Sequence, residues 1–140
     1  MFKSTVTKHY STFCSLQNLR NIRNFVEESL SKTSLNTKDA QLIVLAVDEI
    51  CSNSIIHSNN QNPNSLIDIL LKMNKGEVVV EIKDNGKYFN YSTYKEPTVL
   101  QLIKNKAKGS MGLMIVRNVM DKVEYRHQKD TNILRLSKKI

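Results

Sequence analysis

Residues 42–57 read LIVLAVDEICSNSIIH, a long apolar-rich run broken by polar residues in a fixed register. Glu49, Asn53 and His57 recur every four residues. At 3.6 residues per turn, that spacing stacks them along one face of a helix. Ile43, Ala46, Val47, Ile50 and Ile55 fill much of the remaining surface, and a helix apolar on most sides is a buried one. A carboxylate and an amide on such a helix need partners, because burying an unpaired polar group costs about 2–7 kcal/mol. Either the fold satisfies them or a ligand does. Taken alone, the helix favours the first reading; two later stretches favour the second.

The composition bounds what the rest can be. With 140 residues, 40% hydrophobic and 24% charged, the chain suits one globular domain over residues 1–140 with a core of its own. No apolar run reaches the roughly 18–20 residues of a membrane span, so no membrane partner is expected. The opening MFKSTVTKHYSTF lacks the apolar centre of a secretory signal. It is basic and rich in hydroxyls, as organellar transit peptides are, but Val6, Tyr10 and Phe13 among β-branched threonines read better as a first strand. A cytoplasmic location is the default expectation. Cys14 and Cys51 have neither metal-ligand nor CxxC spacing, so no disulfide is expected, and Cys51 reads as a small core residue.

The net charge of +8 is unevenly placed: residues 1–60 carry six Lys/Arg against five Asp/Glu, residues 61–140 fifteen against eight. Nucleic acid is one partner for such charge. The chain has no recognition-motif spacing and no aromatic platform among its basic residues, so nucleic acid is not the expected partner. A polyphosphate site or an acidic protein accounts for the charge as well.

Outward from the central helix, residues 3–13 read as a strand. Ser15 reads as the N-cap of an amphipathic helix in which Leu16, Leu19, Ile22, Val26 and Leu30 share a face. Asn36 is placed to cap the central helix, with Asp39 in its first turn, where a negative charge suits the helix dipole. The helix should stop in SNNQNPN, residues 58–64. Residues 65–73 and 77–84 read as strands joined by the turn Asn74-Lys75-Gly76, hence as an antiparallel hairpin. Residues 85–110 have little periodicity beyond a short helix around Thr98–Lys104, and a loop this long in a small domain is usually a functional lid or disordered. Gly109–Gly112 opens a helix with Leu113, Val116 and Met120 on its buried face, and VEYRH and NILRLSK close the chain as a second hairpin. The order implies an α+β fold: a two-layer α/β sandwich, mostly antiparallel, with helices on one sheet face.

Three stretches carry chemistry. Gly109-Ser110-Met111-Gly112-Leu113 lies at a helix start, where glycines let backbone N–H groups converge on an anion. Lys104, Lys106 and Lys108 add charge just upstream; by itself this could be an ordinary turn beside a solvated basic face. Asp84 ends an apolar strand in DNG, which alone reads as an Asx turn. Its functional reading is an acceptor for the exocyclic amine of a purine, with Gly86 permitting close approach of the base. Asn53 can ligate Mg²⁺ through its amide oxygen. Glu49, one turn earlier, would then act as a general base towards an attacking hydroxyl. Together and in this order, the three are far more specific than any one.

The set resembles the Bergerat-fold ATPases, the superfamily of gyrase, the mismatch-repair ATPases and the histidine kinases. Within it, the chain is similar to the anti-sigma-factor serine/threonine kinases of bacterial partner switching. The N box would run from Glu49 to Asn53, the G1 box would be DNGKYF at 84–89 and the G2 box GSMGL at 109–113; VDEICSNSIIHS and KGSMGLMIVRNVMDKVEY carry most of the match. The resemblance implies ATP and Mg²⁺ as cofactors. Glu49 would be the catalytic base and Asn53 the metal ligand. Asp84, Gly86 and Thr131 would hold adenine. Lys108, Gly109, Ser110, Met111, Gly112 and Leu113 would bind phosphates, and residues 87–108 would form an ATP lid. Tyr88 stands where the G1 box often has a second glycine, and Asp130 where a glycine often precedes the threonine.

The implied activity is ATP-dependent phosphorylation of a serine on a small antagonist protein, together with sequestration of a sigma factor or similar regulator. A homodimer is a frequent state of such proteins. The alternative is a regulatory module that binds ATP and sequesters its partner without transferring phosphate. A histidine kinase fits less well, since His9, His57 and His127 fall in a strand, at a helix end and in a hairpin, not on a phospho-accepting helical pair.

Overall fold

A computed structural model of the chain describes residues 5–60, 62–87 and 116–140. Strand β1 (Val6–Phe13) leads through a 3₁₀ turn (Leu16–Asn18) into α1 (Leu19–Leu30), followed by α2 (Thr37–Asn53) and a single π-helical turn (Ser54–Ser58). Strands β2 (Leu66–Met73), β3 (Glu77–Asp84), β4 (Lys122–Gln128) and β5 (Thr131–Lys139) complete a five-stranded sheet of order β1-β2-β3-β5-β4. Every pairing is antiparallel. This is the expected two-layer α+β sandwich.

Local chemistry explains the elements. Asn36 caps α2 as expected, its Oδ1 accepting from the Asp39 backbone N–H at 2.8 Å. Ser15 does not cap α1. Its extended backbone opens the 3₁₀ turn and its hydroxyl makes no capping bond, while the Asn18 amide donates to the Phe13 carbonyl at 2.9 Å. At the β2–β3 turn, Asn74 Oδ1 accepts from the Gly76 N–H at 2.9 Å. Lys129 and Asp130 link β4 to β5 with φ of 48° and 63°, the two positive values a tight I′ hairpin turn requires. Asp tolerates that region better than most residues, so Asp130 fits the turn without a glycine.

The core lies between the helices and one sheet face. Ile22, Val26 and Leu30 of α1 and Ile43, Ala46, Val47 and Ile50 of α2 are sealed against Ile67, Ile69 and Leu71 of β2, Val78, Val80 and Ile82 of β3 and Leu134 and Leu136 of β5. Each large aliphatic side chain buried this way contributes about 1.5–3 kcal/mol. Tyr10 stacks on Phe25 with ring centroids 5.3 Å apart, fastening β1 to α1. Cys14 and Cys51 are buried free thiols, Cys51 as expected of a small core residue. Val116 and Met120 are buried as their spacing predicts. The expected start of their helix, including Leu113, lies outside the described residues, as does the short helix expected around Thr98–Lys104. No helix among the described residues is long and apolar enough to cross a membrane.

Candidate functional site

The chemistry gathers where α2 ends beside the last residue of β3. The α-helix stops at Asn53, and the chain winds one π turn through Ser54–Ser58 before breaking at Asn59. Turns of this kind occur often at functional sites. His57, on this turn, is exposed, whereas Asn53 is buried. Asn59 holds the turn shut. Its backbone N–H donates to the Ser54 carbonyl at 3.0 Å and its amide donates to the same carbonyl at 2.8 Å.

Ser54 joins this turn to the sheet, its hydroxyl donating to Asp84 Oδ2 at 2.7 Å. The other oxygen of Asp84, Oδ1, accepts from the Gly86 N–H at 2.8 Å and from the Asn132 amide at 2.9 Å. Asp84 is only 7% exposed. A carboxylate offers about four acceptor positions. Three are taken, so one on Oδ2 remains for a further donor. The charge at Asp84 also adds to what burial does to Cys14, whose thiol is pushed up to about 11.

Asn132 was not among the residues singled out from sequence, yet it organises this corner. Its amide N–H group also meets the carbonyls of Gly86 and Lys87 at 3.1 and 2.9 Å, and its oxygen accepts from the Tyr125 hydroxyl at 2.6 Å and lies 2.8 Å from His127 Nδ1. A signal for it existed. In TNILRLS, Asn132 has the same parity as Leu134 and Leu136, so it must point into the core, and a buried amide needs partners. Thr131 has the opposite parity, and its hydroxyl donates to Asn85 Oδ1 at 3.2 Å.

Gly86 is required by close packing. A β-carbon there would lie 2.4 Å from the Ser58 carbonyl oxygen and 2.6 Å from its carbon, and the Ser58 carbonyl accepts from the next N–H, that of Lys87, at 2.6 Å. The side of Gly86 where a β-carbon would stand is thus filled by the π turn. Gly86→Ala should destabilise the fold by about 1–3 kcal/mol, since backbone cannot yield as a flexible side chain would. An unchanged urea midpoint would refute that packing.

Glu49 and Asn53 lie one turn apart on α2, just before Ser54. Glu49 is half-buried, and burial first, then the charge of Asp48, raises its carboxyl above the ordinary range. Asp48 is ion-paired with Arg23 at 2.9 Å, whereas Glu49 has no hydrogen bond or ion pair among the described residues. Asn53 is 4% exposed, and its Nδ2 is sealed with no hydrogen-bond partner. An orphaned buried amide is uncommon and calls for an explanation. The two ends of an amide interchange by a half-turn, so the same position can present the oxygen to a cation. No group of three or more His, Cys, Asp and Glu among the described residues could hold a metal by itself. The amide oxygen of Asn53 is a ligand of the kind Mg²⁺ takes, since that ion binds through one or two protein oxygens plus substrate phosphates. Lys108, Gly109, Ser110, Met111, Gly112 and Leu113 lie outside the described residues.

Comparison with known proteins places the chain. The sequence pattern of the histidine kinase-like ATPase domain matches residues 14–138. The chain belongs to this family. Among curated relatives of this histidine kinase-like ATPase domain, the serine-protein kinase RsbW of Bacillus mycoides is 22% identical over 100 residues, 69% of this chain and 62% of its own length. The serine/threonine-protein kinase BtrW of Bordetella bronchiseptica is 24% identical over 95 residues, 68% of this chain and 67% of its own. The match thus spans about two thirds of each relative. A crystal structure of the RsbU and RsbW domains of Rv1364c from Mycobacterium tuberculosis shares the fold, with a TM-score of 0.64 over 95% of this chain and 32% of that one at 15% identity.

Proposed function

We propose that the chain is an ATP-dependent protein serine/threonine kinase that also holds a regulatory partner. The observation that carries this reading is the pairing on one helix face of the half-buried carboxyl of Glu49, which has no partner among the described residues, with the orphaned amide of Asn53, beside a buried aspartate with one acceptor position left among the described residues. A structural polar cluster would satisfy itself; this one is incomplete in the places where a nucleotide and a hydroxyl would complete it. The relatives RsbW and BtrW, both protein kinases, support it.

In this reading, Asp84 accepts the exocyclic amine of adenine, and Ser54, Gly86 and Asn132 hold its carboxylate for that purpose. Asn53 turns its amide oxygen to Mg²⁺. Glu49 takes the proton from the attacking serine hydroxyl, a role suited to a carboxyl raised towards neutral pH. Mg²⁺ on the nucleotide, when bound, offsets the charge of the transferring phosphoryl group. Lys108 and the Gly109–Leu113 backbone hold the phosphates, with residues 87–108 as the lid. Thr131 lies next to Asn85 at the rim of the adenine position. The acceptor is a serine on a small antagonist protein, and the held partner is a sigma factor or analogous regulator.

The test is incubation with γ-labelled ATP, Mg²⁺ and partners captured from the native cell. A labelled serine is expected. Partners that bind in a nucleotide-dependent way yet stay unlabelled would make the chain a sequestering module instead. Asn53→Ala should weaken Mg²⁺-dependent ATP binding about tenfold or more, the usual order for a direct hydrogen-bonding or ligating group. If calorimetry found its Mg²⁺ dependence unchanged, the metal assignment would fail.

A further inference from the structure

A cavity lies at the end of the sandwich away from Asp84. It has a volume of about 390 Å³ and opens between the first half of β1, the end of α1 and the β2–β3 turn. The strand register separates it from Asp84: Asp84 pairs with Ile67 at one end of the β2–β3 hairpin, and Met73 pairs with Val78 at the other. At about 3.3 Å per residue, that run spans about 20 Å. This size falls within the range of small-ligand pockets, about 300–1,000 Å³.

The lining combines two features that do not satisfy each other. Val6 and Met73 supply apolar surface, and Val6 remains 48% exposed although it points to the helix side of the sheet, like its register partner Met73. Around them stand Lys8, Lys32 and Lys75, from three different elements. Among the described residues, none of these three ammonium groups forms an ion pair. Three like charges around one opening repel each other, and their aliphatic stems extend the apolar wall. The end of α1 opposes an anion, because helix C-termini disfavour them. Three of its last four carbonyls are already engaged. Ser29 donates to the Phe25 carbonyl, Ser31 to those of Glu27 and Glu28, and Thr33 to that of Leu30.

We infer that this cavity binds a small organic anion, a phosphate or carboxylate head on a short apolar body, with the head among Lys8, Lys32 and Lys75 and the body against Val6 and Met73. A bare anion would answer the charges and leave the apolar floor wet. A neutral apolar molecule would do the reverse. The inference is independent of ATP binding, since it uses no residue of the Asp84 site.

Hexyl phosphate serves as the probe, with amide ¹H–¹⁵N shifts of the 140-residue chain as the readout. Saturable shifts confined to Lys8, Thr33 and Met73–Lys75 are expected at about millimolar concentration or below, and the combined change Lys8→Ala, Lys32→Ala and Lys75→Ala should weaken binding at least about tenfold. All three lysines are exposed, so the variant should keep its melting temperature. Should it unfold, Lys75→Ala alone should weaken binding about two- to fivefold. Equal shifts with inorganic phosphate would overturn the proposal, because the apolar floor would be irrelevant. So would binding to anionic lipid vesicles without binding to soluble hexyl phosphate, or the absence of shifts at these residues.

Discussion

Glu49→Gln is expected to slow phosphoryl transfer by about 100- to 10,000-fold, the range a positioned general base supplies, while leaving nucleotide affinity little changed. Glutamine keeps the shape of the side chain and cannot take a proton. The same substitution should stabilise the unliganded chain at neutral pH. Burial and Asp48 raise the carboxyl of Glu49 in the folded state, so over that window the folded chain binds the proton more tightly than the unfolded chain. Stability therefore falls as pH rises through the unfolded and then the folded value, and the full penalty is present above both. Glutamine removes the penalty. Melting curves of the two proteins should differ above the carboxylate range and converge below it. A variant that transfers phosphate at full rate, or a gap independent of pH, would contradict the assignment of Glu49 as a strained base.

The second large effect is expected at the opposite wall of the site. Asp84→Asn is nearly isosteric, and its amide oxygen can still accept from the Gly86 N–H and the Asn132 amide, with the new NH₂ turned to the Ser54 hydroxyl. The fold should survive. The position left for a ligand becomes a donor facing the donor amine of adenine. A hydrogen bond to a charged group contributes about 1.5–3 kcal/mol, so ATP affinity should fall about 10- to 100-fold. Inosine triphosphate, which presents a carbonyl in place of the amine, should bind the variant no worse than it binds the parent. Calorimetry with both nucleotides checks this. Equal ATP affinity in variant and parent would mean that Asp84 is structural.

Much of this was legible from residues. The periodicity of Leu42–His57, the Asn36–Asp39 cap, both hairpins and the buried parity of Val116 and Met120 follow from local rules, because apolar spacing and turn chemistry act over a few residues. What stayed hidden depends on distant pieces meeting. That Gly86 abuts the Ser58 carbonyl is a fact about two segments far apart in sequence. That α2 ends in a π turn, with His57 exposed on it, has no local marker. Ser15 had the right residue type for a cap and the wrong following geometry. Asn132 is legible by parity, since it shares the face of Leu134 and Leu136. The placements of Glu49, Asn53 and Asp84 near one another depend on the Ser54–Asp84 bond, which no spacing rule contains.

The strand order has a further consequence. β3 is the middle strand of β1-β2-β3-β5-β4, hydrogen-bonded along both sides, whereas β1 and β4 form the margins. Proteins open piecemeal, and margins open before centres. The residue that would read the base thus stands on the strand last to lose its neighbours. Amide exchange at Ile82 and Lys83 should track whole-molecule unfolding, while the margins can breathe, and meet other proteins, without disturbing what the middle strand holds.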